Sequence, residues 1–200
     1  MVASAIAHRG QIGANGGTLT VAGTVTAGGT LKADTSNTLV LNGTSSAVCA
    51  VLNTGTLTLG ANASLHVTAS VSSASTGLFV LTNASLLEVA GDTAASSKIS
   101  FLGTSGDMLM VDFASQFGTN VELGTYTGPK LANFGTLDTI GLRDLAFSGA
   151  TIDGYTAATG LLQLYSGGTK ATLLFDNATL GSGTFQVSAD SSTGTMVIRS

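Results

Sequence analysis

Hydrophobic and hydroxyl side chains alternate in short segments along the first hundred residues, and each segment ends near Gly or Asn. In GTLTV, Leu19 and Val21 alternate with Thr18 and Thr20. The pattern returns with variation in GTVTA from Gly23, GTLKA from Gly29, NTLVLN from Asn37, GTLTLG from Gly55, ASLHV from Ala63 and ASLLEV from Ala84. Alternation with period two places the two sets of side chains on opposite faces of a strand, so each segment predicts a short β-strand followed by a turn.

The spacing of these strands predicts how they are arranged. Successive segments are often only about six to eight residues apart, which is too close for ordinary hairpins built from longer strands. They fit the successive sides of a coil whose equivalent sides stack into parallel sheets. We therefore predict an all-β chain folded as a parallel β-solenoid, expected to be right-handed, with about 20 to 25 residues per coil and about eight to ten coils.

We expect one solenoid domain over residues 1–200, with regular coils in 1–104 and less regular coils in 105–200. In the regular part the aliphatic side chains should face the interior and the hydroxyl side chains the solvent. The predicted interior positions are Leu19, Val21, Val25, Leu31, Leu39, Leu41, Val51, Leu57, Leu59, Leu65, Val67, Phe79, Leu81, Leu86 and Val89.

One segment of the second half is compatible with two structures. In DMLMVDFASQF, residues 107–117, Leu109, Phe113 and Phe117 follow one another at the spacing of a helix face. The alternative is a buried strand at MLMVDF. A strand is favoured here because a neighbouring coil is already present to pair with it.

Composition limits the classes of partner. Charged residues make up only 9% of the chain and the formal net charge is -4, with Lys and Arg scattered along it. Phosphate contacts and base-stacking platforms therefore cannot be assembled, and we expect no nucleic-acid partner. Gly, Asn and Ser interrupt every aliphatic cluster, so we predict no transmembrane segment.

Residues that could carry chemistry are few and separated. His66 should point outward from its strand, without a His, Cys or Asp partner at metal-ligand spacing, so we predict no metal and no other cofactor. Glycan-cleaving solenoids need paired carboxylates. The best candidate pairs are Asp107 with Asp112 and Asp138 with Asp144, but solvated acids are the favoured interpretation. We expect a protein that is not an enzyme.

The C-terminal third contains a recognisable set of residues, namely Asp138-Thr139-Ile140, Leu142, Ala146-Phe147, Thr159-Gly160-Leu161, Gly168, Ala171-Thr172-Leu173, Phe185, Val187, Ser188, Asp190 and Gly194-Thr195. With these residues it resembles a unit that recurs in large secreted or surface β-solenoid repeat proteins of alphaproteobacteria, which are autotransporter- or haemagglutinin-like. Members of that family often have an acidic residue where this chain has Gly141. The resemblance implies an extracellular or cell-surface location and a surface, adhesive or matrix role.

The two ends of the predicted solenoid carry the functional prediction. A stacked coil leaves open sheet edges unless a helix, charges or an irregular segment covers them, and neither end of this sequence shows a strong cap. Open edges that meet head to tail form a filament. We predict a secreted structural subunit of an extracellular fibre or adhesive surface layer, whose partner is itself. The predicted self-assembly residues are Val2, Ala5, Ala7, Met196, Val197 and Ile198.

The alternative is a monomeric, adhesin-like passenger fragment that binds glycans or matrix along one face, which makes extracellular polysaccharide a second candidate partner. Sugar binding usually requires exposed aromatic rings. The obvious candidates are Tyr126, Tyr155 and Tyr165.

Overall fold

The structure, a computed structural model, describes residues 6–8, 10–14, 16–23, 25–27, 30–33, 37–43, 47–90, 93, 96–121 and 125–200. The chain is all-β, with 51% strand and 2% helix, as predicted. Its strands are β1 (Ile6–His8), β2 (Gln11–Ala14), β3 (Thr18–Val21), β4 (Val25–Ala27), β5 (Thr30–Ala33), β6 (Thr38–Leu41), β7 (Ala47–Asn53), β8 (Thr56–Leu59), β9 (Ser64–Val71), β10 (Leu78–Leu81), β11 (Leu86–Val89), β12 (Lys98–Phe101), β13 (Met108–Val111), β14 (Lys130–Ala132), β15 (Thr139–Leu142), β16 (Thr151–Thr156), β17 (Leu161–Ser166), β18 (Thr169–Phe175), β19 (Phe185–Ala189) and β20 (Thr195–Arg199).

The strands form two sheets that enclose one core. Sheet A runs in the order β3, β6, β8, β10, β12, β14, β18, β17, β16. Sheet B contains β1, β2, β4, β5, β7, β9, β11, β13 and β15, followed by β20 and β19. Pairing is parallel from β3 to β14 and from β1 and β2 to β15. The predicted parallel β-solenoid is therefore confirmed.

In-register stacking of aliphatic and aromatic side chains builds the core. In sheet A, Leu39, Leu57, Phe79 and Ile99 are partners in successive strands, 18, 22 and 20 residues apart, and each is buried. These spacings correspond to about four turns. The next step, to Leu131, spans 32 residues, because this enlarged turn contains a 3-10 helix.

The predicted interior positions are buried with two exceptions. Leu19 is only partly buried at the N-terminal end of the core. Leu86 is also only partly buried, whereas Leu87 occupies the interior position in register with Leu65 and Leu109. The prediction for Leu86 is wrong because two consecutive Leu residues leave the alternation ambiguous, and the stacking partners decide which one faces inward.

The segment 107–117 forms a strand, as favoured. It contains β13 and then the single 3-10 turn Ala114–Gln116. The helix-like spacing of Leu109, Phe113 and Phe117 is coincidental, since Leu109 lies in the strand and Phe113 is exposed.

The prediction of eight to ten coils is wrong because the chain reverses in its last third. β17 pairs antiparallel with β18 and β16 with β17, while β20 pairs antiparallel with both β15 and β19. Gly167 and Gly168, both with positive φ, form the tight connection between β17 and β18. A Gly-Gly pair between two alternating segments is a hairpin signal, so this reversal was detectable in the sequence.

Aromatic side chains close the C-terminal end of the core. The rings of Phe134, Phe175 and Phe185 lie against one another, and Tyr155 contacts Phe185 at a centroid distance of 5.0 Å. The guanidinium of the buried Arg199 lies 5.5 Å from the Phe185 ring centroid. Its N–H groups donate to backbone carbonyls of the 180–183 segment. This group covers the core, whereas the expectation that neither end has a strong cap concerned the edges of the sheets, whose outermost strands here are β19 and β16.

Among the described residues, no helix is both long and apolar enough to cross a membrane.

Candidate functional site

The N-terminal end of the solenoid exposes the backbone of its first strands. β3 is the edge strand of sheet A, and β1 and β2 lie at the edge of sheet B. The carbonyls of Gly17 and Val21 accept hydrogen bonds from the N–H groups of Thr38 and Asn42 in the next turn. In a parallel ladder the intervening residues point their backbone groups the other way. The N–H and C=O groups of Thr20 in β3 therefore face away from the sheet.

The N-terminal edge of sheet B also exposes backbone N–H and C=O groups. The N–H of Thr30 donates to the carbonyl of Gly10. This bond shows that the even-numbered residues of β2 point their backbone N–H and C=O groups toward β5. The backbone groups of Gln11 and Gly13 consequently face outward. Neither β2 nor β3 contains a charged residue or a proline, so these two strands lack the Lys, Pro or inward charge with which proteins usually block strand addition.

The C-terminal end has different edge strands from those predicted. Met196, Val197 and Ile198 lie in β20, which is paired with β15 on one side and β19 on the other. They therefore do not form an open edge, and that part of the prediction is wrong. The outermost strands are β19 in sheet B and β16 in sheet A.

Hydrogen bonds between β19 and β20 identify the backbone groups of β19 that point away from β20. Thr184 and Ser200 exchange both N–H···O bonds, and the N–H of Asp190 donates to the carbonyl of Gly194. Even-numbered residues of β19 thus bond to β20, and the odd-numbered ones, including Val187 and Ala189, direct their backbone groups outward. β19 contains no charged residue, whereas β16 carries Asp153 at an irregularity in its pairing with β17.

The N-terminal self-assembly residues are only partly described. Val2 and Ala5 lie outside the described residues. Ala7 lies in β1, where it is the parallel partner of Thr26 in β4. β1 therefore already pairs with β4 of its own chain, and among the described strands nothing pairs with its other edge.

Acidic residues at the starts and ends of sheet B strands form two separate groups. The N–H of Asp107 donates to Oδ1 of Asp138 at 2.9 Å, and Asp112 lies near Asp144. The expected pairs, Asp107 with Asp112 and Asp138 with Asp144, are therefore not the ones that meet. Each expected pair flanks one strand, whereas stacking brings equivalent ends of β13 and β15 together.

The group at the strand starts is buried. Oδ1 of Asp107 accepts hydrogen bonds from the N–H and the hydroxyl of Ser85 at 3.0 and 3.3 Å. Burial raises the pKa of the Asp107 carboxyl, the N–H of Ser85 opposes that shift, and the charge of Asp138 adds to it. Its Oδ2 has no hydrogen-bond partner among the residues that the structure describes. This group connects three turns and is inaccessible to a substrate, since Asp107 is 1% exposed.

A second group, which we call the sheet B cluster, lies on the outer face of sheet B and consists of His66 in β9, Glu88 in β11, and Asp112 and Arg143, which directly follow β13 and β15. His66 and Glu88 are register partners in β9 and β11. Nε2 of His66 lies 3.8 Å from Oε1 of Glu88 and 3.9 Å from Oδ2 of Asp112. Nη1 of Arg143 lies 2.8 Å from Oε1 of Glu88 and 3.4 Å from Oδ1 of Asp112.

The sheet B cluster corrects the expectation that His66 has no partner at ligand distance. Its Nε2 and one oxygen each of Glu88 and Asp112 lie within 4.8 Å of one another. The sequence contains a signal for this, because His66 and Glu88 are separated by 22 residues, the length of that turn. Spacing within one strand or loop does not detect it.

Gly141, at the position where members of the resembled family often have an acidic residue, lies beside two methionines. Gly141 lies in β15 opposite Met110 of β13 and Met196 of β20. A Cβ atom there would lie 2.4 Å from Sδ of Met110 and 3.3 Å from Sδ of Met196. Glycine at 141 therefore permits the close packing of both methionine side chains on the outer face of sheet B.

The tyrosines do not form a stacking surface for sugars. Tyr126 is buried, and its hydroxyl donates to the carbonyl of Phe117 at 2.7 Å. Tyr155 packs into the C-terminal aromatic group, and its hydroxyl bonds to Asn177. Of the three candidates, Tyr165 alone is exposed, at 41%.

No protein-family model, curated protein or solved structure matches this chain.

Proposed function

We propose that this protein is a secreted structural subunit of an extracellular fibre or adhesive surface layer, in which copies join head to tail by pairing their terminal strands. The observation that carries the proposal is the direction of those strands. β3 and β18 run in the same direction through the parallel ladder, and two antiparallel steps, to β17 and then β16, restore that direction. β16 therefore runs parallel to β3.

Sheet B has the same property. β2 and β15 run in the same direction, β20 is reversed, and β19 is reversed again. β19 is therefore parallel to β2. A second copy placed beyond the C-terminal end, in the same orientation, would continue both sheets with parallel pairing. A contact of this kind is heterologous, so each added copy leaves a new free end and the assembly grows as a filament.

The composition of the edges supports sheet B as the principal contact. β2 and β19 carry no charge and have outward backbone groups, whereas Asp153 and the pairing irregularity of β16 hinder strand addition to sheet A. Each new backbone hydrogen bond contributes about 0.5–1.5 kcal/mol net. Because these contacts involve no ion pairs, assembly should depend little on salt.

The extracellular location rests on the resemblance of the C-terminal third to surface solenoid proteins and on the low charge of the surface, which Thr, Ser and Asn cover. A glycan-binding monomer receives less support, because only one of its three candidate aromatic side chains is exposed.

The test replaces a residue of β19 whose backbone N–H faces outward with proline, which has no N–H. Ala189 is exposed and its N–H faces away from β20, so Ala189→Pro removes an intermolecular donor and no hydrogen bond within the part of the chain that the structure describes. Ala189→Ser retains the N–H and is the matched control. Filament length is measured by negative-stain microscopy and by sedimentation, at low and high salt.

We expect long filaments from the wild type and Ala189→Ser, and monomers or short rods from Ala189→Pro at unchanged thermal stability. Gln11→Pro, with Gln11→Ala as its control, tests the other end of the sheet B contact in the same way, because the backbone groups of Gln11 in β2 face outward. Wild-type protein that stays monomeric at high concentration would refute the proposal, as would filaments of normal length from both proline variants.

A further inference from the structure

We propose that the sheet B cluster binds one divalent transition-metal ion, of the class of Zn²⁺ or Co²⁺, through Nε2 of His66, Oε1 of Glu88 and Oδ2 of Asp112. The three side chains come from three successive turns, and one ligand atom of each lies within 4.8 Å of those of the other two. This proposal is independent of filament formation, since the cluster lies on the outer face of sheet B, away from both ends.

The fold places these atoms without loop rearrangement. His66 and Glu88 are direct partners in β9 and β11, and Asp112 immediately follows β13, the next strand. Donor atoms around a tetrahedral zinc ion lie about 3.3 Å from one another. The distances from Nε2 of His66 to the two carboxylates are 3.8 and 3.9 Å, so small side-chain rotations bring the donors to that spacing.

The donor set selects the class of metal. Ca²⁺ and Mg²⁺ favour sites made only of oxygen, whereas an imidazole with two carboxylates suits zinc and its neighbours in the first transition row. The side chain of Glu88 is 11% exposed and that of Asp112 is 21% exposed, while His66 is 41% exposed. The ion would thus be held against the sheet by the two acids and remain open to water on the imidazole side.

The charge around the cluster favours a cation. Glu88, Asp112 and the neighbouring Asp144 are opposed by one guanidinium, that of Arg143. Among the described residues of this cluster and its neighbour Asp144, three carboxylates therefore face one guanidinium. A divalent ion would offset the remaining negative charge on the face where the three turns meet.

Arg143 makes the proposal sharply testable because it competes for the same acids. Its Nη1 lies 2.8 Å from Oε1 of Glu88, one of the proposed ligands, but it approaches Asp112 through Oδ1 and leaves Oδ2 to the metal. Its side chain is 48% exposed and can turn into solvent. Removing the guanidinium should therefore strengthen metal binding, whereas a purely structural ion-pair network predicts no binding in either protein.

The experiment titrates the full-length protein with Co²⁺, followed by the visible absorption of the bound ion, and with Zn²⁺, followed by calorimetry. We expect one ion per chain. His66→Ala should weaken the affinity at least about ten-fold, the scale on which even outer contacts of a metal site act, and Arg143→Gln should strengthen it by a similar factor. His8→Ala is the matched control, because His8 is the other histidine of the chain, and should leave the affinity unchanged.

Thermal unfolding supplies a second measurement, since an ion that joins three turns should raise the midpoint of the wild type and not that of His66→Ala. The proposal is overturned if neither the wild type nor Arg143→Gln binds either metal at millimolar concentration. It is equally overturned if His66→Ala binds as tightly as the wild type, or if His8→Ala abolishes binding.

Discussion

Arg143 forms an ion pair with Glu88, with Nη1 and Oε1 2.8 Å apart, although Glu88 lies in β11, Arg143 directly follows β15, and β13 lies between these two strands. The guanidinium also lies 3.4 Å from Oδ1 of Asp112. One half-exposed cation therefore neutralises acids from two turns. This contact joins the regular turns to β15, the first strand of sheet B after the enlarged turn.

Loss of that cation should destabilise the metal-free protein modestly. For Arg143→Gln we expect the free energy of unfolding to fall by about 1–2 kcal/mol, because Glu88 is largely buried but Arg143 is half exposed. Arg143→Lys should recover part of the loss. Urea unfolding in the presence of a chelator measures both variants, and a wild-type midpoint for Arg143→Gln would contradict the expectation.

Adjacent residues of β8 should respond oppositely to the same charge. Leu57 is fully buried between Leu39 and Phe79, whereas Thr58 is partly exposed on the outer face. Leu57→Asp should prevent folding or cost more than about 4 kcal/mol, and Thr58→Asp should cost less than about 1 kcal/mol. Thermal unfolding monitored by circular dichroism distinguishes them. Equal stabilities would show that the register is incorrect.

The raised pKa of Asp107 predicts a specific dependence of stability on pH. The folded state binds the Asp107 proton more tightly than the unfolded chain, in which the pKa is near 3.8. The free energy of unfolding contributed by this group is therefore largest at low pH and decreases as the pH rises from 3.8 through the folded pKa.

Asp107→Asn should remove that decrease. The free energy of unfolding of this variant, minus that of the wild type, should therefore be larger at neutral pH than in acid. Urea unfolding across this pH range provides the measurement. The exposed Asp153 supplies the control, since Asp153→Asn should retain the wild-type slope. Identical slopes for Asp107→Asn and the wild type would exclude this origin of the pH dependence.

The hydroxyl of Tyr126 should contribute to stability through its bond to the carbonyl of Phe117. Tyr126→Phe leaves that carbonyl without the tyrosine donor inside the protein, which should cost about 1–3 kcal/mol. Tyr165→Phe makes the same change on an exposed ring and should cost less than about 0.5 kcal/mol. Chemical denaturation compares the two, and similar losses would mean that the buried bond is not the cause.

The class of fold and the inward face of most strands follow from the amino-acid sequence alone. Leu39, Leu57 and Phe79 were identifiable as interior residues because alternation within a short strand is a local property, and the repeated spacing of the strands indicates stacking turns. Local pattern was insufficient at Leu86 and Leu87, where two adjacent leucines fit either register. There the partners Leu65 and Leu109 decide which side chain is buried.

The strand neighbours at the ends of the solenoid and the grouping of its polar residues depend on long-range packing. β20 has strand-like alternation whether it is an open edge or lies between β15 and β19, because the pattern of one strand does not specify its neighbours. Likewise, His66, Glu88, Asp112 and Arg143 meet because turns of different lengths stack the same ends of their strands. Their proximity depends on the length of every intervening turn, including the enlarged one. The register of the turns is set by the burial of their stacked interior side chains, Leu65, Leu87, Leu109 and Ile140.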